Sequence, residues 1–138
     1  MENNSIFIEK LRSSGLRPTK QRIIICKLLF DRKQTFHFTI NVLSKILKKN
    51  TSEKISLATI YNTIHSFKKK GYLKEISVNQ NKSYFDTNTS DHHHFLDIYT
   101  NELIDLNKED VDKINIKKNL SGKKINSIEV LVKIENSN

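Results

Sequence analysis

Cysteine is almost absent from this chain: Cys26 is the single one in 138 residues. An internal disulfide is therefore excluded, and so is any C-x-x-C zinc clip. No apolar run approaches the roughly 20 residues that a membrane-spanning helix needs, so no membrane partner is expected. The opening stretch MENNSIFIEK carries acids and no basic n-region, so it does not read as a secretory signal. A cytoplasmic protein is the expected setting. Acidic residues are scarce in one half only. Residues 1–72 carry 15 Lys and Arg against 4 Asp and Glu, a net of +11. Residues 73–138 carry 9 against 11, a net of −2, which together give the whole-chain +9. A basic half joined to a near-neutral half points to a nucleic-acid-binding module followed by a second module. The chain is also biased toward Lys, with 20 Lys against 4 Arg. A uniform bias would not gather the charge in one half.

Hydrophobic periodicity then divides the basic half. Residues 6–14 form a short amphipathic segment ending near Gly15. Pro18 and Thr19 mark a helix start, and the apolar run Ile23 to Phe30 is dense enough to be buried. Cys26 lies inside that run and reads as a small core residue rather than a reactive thiol. A third helix is predicted over 39–49, with Thr39 as N-cap and basic Lys48 and Lys49 at its end. The fourth has Ser56 as N-cap and Gly71 as stop. Leu57, Ile60, Ile64 and Phe67 fall on one face; Thr59, Asn62, Ser66 and Lys69 fall on the other. Tyr72 to Val78 and Lys82 to Asp86 then read as two strands around Asn79-Gln80-Asn81. Helices followed by such a hairpin make a winged helix–turn–helix, with the fourth helix as the major-groove reader.

The second half reads as strands over 92–99 and 102–106, a helix over 108–118 and a strand over 125–135. In the last strand Ile128, Val130, Val132 and Ile134 alternate. Leu131 breaks the opposite face, which implies partial cover there. The fold class is thus α+β. A winged helix–turn–helix domain, residues 1–86, precedes a small α/β domain, residues 87–138. The latter is small to stand alone, and dimerisation through its sheet would remedy that.

Three of the five histidines are adjacent, His92, His93 and His94. On a strand, His92 and His94 share a face and His93 points the other way. Asp86 stands an even number of residues before them, and Asp105 lies near the end of the next strand. With His37, these residues would make a metal site bridging the two halves. Imidazole and carboxylate donors suit Zn, Fe(II) or Mn(II). His65 at the border of the fourth helix reads as a surface residue.

The segments GLRPTKQR (15–22), HFT (37–39), SLATIYNTIHSFKKKGYL (56–73) and YFDTNTSDHHHFLDI (84–98) together resemble the ferric uptake regulator family. More narrowly, DTNTSDHHHF is similar to its haem-responsive iron response regulator branch. The resemblance covers about residues 8 to 135. It implies a homodimeric repressor of iron and haem homeostasis that binds promoter duplex DNA. It implies a divalent metal held by His37, Asp86, His92, His94 and Asp105. Haem is implied as a second ligand, at His92, His93 and His94. The residues expected at DNA are Arg17, Lys20, Arg22, Ser56, Thr59, Tyr61, Asn62, Lys68 and Lys69. Asn62 stands where most relatives have Arg, and Asn can pair with adenine. The C-x-x-C pairs that hold structural zinc in many relatives are missing, so the turn at Tyr99-Thr100-Asn101 must close without metal. The Cys-Pro haem motif of some branch members has no match either.

Two alternatives compete. One is a metal- or peroxide-sensing regulator of the same family without a haem response. The other is a small His/Asp metalloenzyme. No Glu or Ser stands beside the cluster as a recognisable general base, so an enzyme is not expected.

Overall fold

Among the described residues, hydroxyl side chains cap the start of three of the four α-helices. The computed structural model describes residues 3–138, and the chain divides into two units after Thr89. In the first unit α1 spans Ser5–Ser13 and α2 spans Lys20–Phe30. Helix α3 covers Ile40–Asn50, and α4 covers Leu57–Lys70. Thr19 Oγ1 accepts the Arg22 N–H at 3.3 Å, and Thr39 Oγ1 accepts the Val42 N–H at 3.2 Å. Ser56 Oγ accepts the Thr59 N–H at 3.1 Å. Each bond satisfies a donor that the first helical turn would otherwise leave open. Helix α4 stops at Gly71, whose φ of +95° is the left-handed cap that a side chain would disfavour. The Tyr72 N–H returns to the Phe67 carbonyl at 2.9 Å and closes that cap.

The core of this unit gathers Leu11, Ile25, Leu29, Leu43, Ile60 and Phe67, all fully buried. Phe67 meets Phe30 edge-on, with ring centroids 5.3 Å apart. Cys26 is buried among them, as its sequence context implied, and burial pushes its thiol up to about 11. Three antiparallel strands complete the unit in the order β1 (His37–Phe38), β3 (Lys82–Asp86), β2 (Lys74–Asn79). Phe38 lies opposite Phe85 in register, with their rings stacked at 5.9 Å. This is the expected winged helix–turn–helix. One detail of α4 differs from expectation. Leu57 is 51% exposed, because it precedes the buried stripe that begins at Ile60. Thr63 joins that stripe instead, and its hydroxyl donates to the Thr59 carbonyl at 2.7 Å.

The second unit, Ser90–Asn138, is a three-stranded sheet in the order β5 (Leu103–Leu106), β4 (His93–Asp97), β6 (Leu131–Ile134). Strand β5 is antiparallel to β4, and β6 is parallel to it. The helix expected over 108–118 is not formed; one 3-10 turn, Lys108–Asp110, is all that appears there. Val111, Ile114 and Ile116 are spaced by three and then two, which gives no continuous helical stripe. Asp, Asn and β-branched residues add little propensity. The last strand is also shorter than expected. Its ladder runs only from His94↔Leu131 to Asp97↔Ile134; just before it, the Val130 N–H is taken by the His93 ring instead of a strand carbonyl. Leu131 is half-buried, in keeping with its break in the alternation.

The β4–β5 turn closes through a carboxylate. Asp97 Oδ1 accepts the Tyr99 N–H at 2.9 Å and the Thr100 N–H at 3.1 Å. These bonds, Thr100's first, hold the Asp97 carboxyl below its usual range. A depressed carboxyl contributes stability above its unfolded pKa, and that contribution is lost as pH falls through the lower folded value. The amide of an Asp97→Asn variant would keep an acceptor oxygen at every pH. The Tm of wild type should therefore fall relative to Asp97→Asn on acidification, and parallel melting curves across the acid range would refute the assignment.

Candidate metal centre and nucleic-acid interface

His92 directly precedes β4 and continues its alternation, so its ring lies beside that of His94, centroids 4.5 Å apart. Both are buried, at 6% and 5% exposure. The β4–β5 register sets His94 opposite Asp105. Asp105 Oδ1 lies 3.4 Å from His92 Nε2 and 3.5 Å from His94 Nε2. His92 Nδ1 is 2.8 Å from the Ser90 carbonyl, which can only accept, so Nδ1 carries the proton and donates it. That hydrogen bond fixes the tautomer and leaves the Nε2 lone pair directed at the cluster. One ligand atom from each of His92, His94 and Asp105 falls within 4.8 Å of the others. Two oriented imidazoles and a carboxylate fit a divalent Zn, Mn or Fe ion.

The first unit holds its own pair. His37 and Asp86 are directly opposed in the β1–β3 register. Such neighbours have Cβ atoms about 4.5–5.5 Å apart. Asp86 is fully buried and accepts the Asn88 N–H at 2.9 Å. Strand β1 was missed in the sequence because two residues are too short for an alternation to register. Its one signal was Phe36-x-Phe38, whose rings stack at 5.3 Å.

His93 has a different task from its neighbours. Its Nδ1 accepts the Val130 N–H at 3.0 Å, and the ring is buried. It borders a cleft of about 470 Å³ with Asp91, Lys108 and Ile128. With Nδ1 accepting, the neutral ring carries its proton on Nε2. Binding iron through Nε2 would require the other tautomer, and the Val130 N–H would lose its acceptor. Here His93 fastens the chain before β6 to β4.

The expected DNA contacts divide by their surroundings. On α4, Tyr61 is 50% exposed and stacks on His65 at 6.0 Å, while Asn62 and Lys69 are exposed. The hydroxyls of Ser56 and Thr59 bond each other at 2.9 Å at the helix start. The Arg22 guanidinium donates to the Arg17 carbonyl at 3.1 Å, which ties together the turn before α2. Lys20 stays 78% exposed despite Glu53 at 3.6 Å. Lys68 is held more closely than Lys20: its ammonium pairs with Glu75 at 2.6 Å. No local sequence pattern marks Glu75, since only the folded hairpin brings it to α4.

A winged helix–turn–helix with an exposed polar face on α4, followed by a sheet bearing a His/Asp cluster, is an arrangement suited to a metal-responsive transcription regulator. Comparison with known proteins agrees. The sequence profile of the Ferric uptake regulator family matches residues 13–133. The Peroxide-responsive repressor PerR of Staphylococcus epidermidis is 32% identical over 107 residues, 78% of this chain and 69% of its own length. The protein of the same name from Staphylococcus aureus is also 32% identical over 107 residues, 70% of its length. In fold, the chain is similar to the ferric uptake regulator of Pseudomonas aeruginosa with manganese. Their TM-score is 0.67 at 20% identity, over 96% of this chain and 99% of that one. For the Vibrio cholerae ferric uptake regulator the TM-score is 0.69 at 20% identity, over 94% and 98%. The chain belongs to the ferric uptake regulator family. Its members are transcription regulators rather than enzymes, and they bind DNA and act as dimers. Among the described residues no helix is long and apolar enough to cross a membrane.

Proposed function

We propose that this chain is a homodimeric repressor that binds promoter duplex DNA when a divalent metal occupies its His/Asp site. The observation that carries the reading is the convergence of two buried Nε2 atoms on Asp105, with His92 locked in the ligating tautomer by Ser90. His92, His94 and Asp105 form one part of the ligand set; we assign His37 and Asp86 as the rest, on their family spacing and their opposed register. A bound ion would supply a fixed positive charge that holds these donors in one arrangement. Arg17, Lys20, Arg22 and Lys69 supply phosphate contacts, and Thr59, Tyr61 and Asn62 face the bases. Residues 1–86 read the duplex, and residues 87–138 hold the dimer together.

Iron status is the signal that the DTNTSDHHHF tract and Asn62 favour. Peroxide sensing is the second reading, favoured by the two PerR relatives at 32% identity. A haem response draws less support, because the Nδ1 of His93 is already engaged by Val130. Selection from a randomised duplex pool with Mn(II)-loaded protein should enrich one sequence over its scrambled counterpart. A pool that stays random would sink the proposal. Exposing the Fe(II)- and Mn(II)-loaded protein to hydrogen peroxide separates the two signals. Loss of binding in the Fe(II) form alone would favour peroxide, and equal retention would favour iron.

A further inference from the structure

The reading helix and the wing are joined by one carboxylate. Glu75 stands on β2, with one oxygen 2.6 Å from the Lys68 ammonium of α4. Its other oxygen accepts the Ser83 hydroxyl of β3 at 2.7 Å. Glu75 pairs with Phe85 and Ser77 with Ser83, so Glu75 and Ser83 are diagonal neighbours on one face of the hairpin. Three elements therefore meet at a single side chain. The same side chain lines a cleft of about 540 Å³ with Tyr61, His65, Asn81 and Lys82. The Lys68 contact first, and the Ser83 hydroxyl next, hold the Glu75 carboxyl below its usual range.

A carboxylate beside a DNA-reading helix repels phosphate, so charge alone would disfavour it here. An ordinary surface ion pair contributes little. This one differs in having each oxygen committed to a different element. Resting on the DNA reading above, we propose that Glu75 is a positioning residue for sequence discrimination. It fixes the wing against α4, and it neutralises Lys68 so that this cation does not serve indiscriminate phosphate binding.

Two consequences separate this role from a purely structural one. Glu75→Gln keeps the shape but frees the Lys68 charge. Affinity for a scrambled duplex should rise about threefold, with a salt dependence steeper by about one counterion per protomer. Affinity for the enriched duplex should fall, so that the ratio of the two drops about tenfold. The double exchange Lys68→Glu with Glu75→Lys restores opposite charges and should recover most of the ratio. The experiment measures both duplexes by fluorescence anisotropy over a salt series, with Mn(II)-loaded wild type, the single variant and the exchange. A reduced ratio that the exchange restores supports the proposal. An unchanged ratio, or a parallel loss on both duplexes, overturns it while leaving the DNA reading intact. A wild type that fails to discriminate overturns the DNA reading and this proposal with it.

Discussion

Replacing His92 by Ala should lower Mn(II) affinity by at least about 100-fold, since even losing a group that only orients a metal ligand costs about 10- to 100-fold. The loss has two parts. One of the two buried Nε2 donors disappears, and the Ser90 carbonyl loses the Nδ1–H that it accepts. His94 and Asp105 remain 3.5 Å apart, but with the proposed His37 and Asp86 they leave the set one buried imidazole short. In the same titration, metal should no longer tighten DNA binding, while the metal-free affinity stays near that of wild type. Isothermal titration with Mn(II), followed by anisotropy on the enriched duplex, checks both statements. An unchanged Mn(II) affinity would remove His92 from the site.

Raising salt from 50 to 200 mM should weaken DNA binding by about 10⁴-fold. The phosphate contacts proposed for Arg17, Lys20, Arg22 and Lys69 number four per protomer and eight per dimer. At about 0.9 counterions released per contact, the slope of log affinity against log salt is about −7. Lys68 is left out of that count because Glu75 already offsets its charge. A plot over the salt series checks the slope. A value near −2 would mean that the basic half does not carry the binding, and a value near −9 would return Lys68 to the phosphate contacts.

Local rules made much of this molecule readable. Thr19, Thr39, Ser56 and Gly71 announced helix ends because caps are short-range chemistry, and all four take those roles. The period-two argument separated His92 and His94 from His93, and the structure gives them different partners. What could not be read depends on contacts distant in sequence. Strand β1 exists only because β3, far along the chain, returns beside it to pair His37 with Asp86. The Val130 N–H on His93 requires the parallel β4–β6 register, which no pattern in either strand specifies. The Lys68–Glu75 pair requires the turn at Gly71 to fold β2 back onto α4. The helix expected over 108–118 was a different kind of error. Val111, Ile114 and Ile116 keep no continuous helical spacing, and a single 3-10 turn forms there instead.

If metal at the His/Asp cluster controls DNA binding, chelator-stripped and Mn(II)-reloaded protein will differ in affinity for the same enriched duplex at one salt concentration. The reloaded protein should bind at least about 100-fold tighter, a coupling of about 2.7 kcal/mol. Equal affinities in the two states, with Mn(II) shown to be bound, would contradict the account.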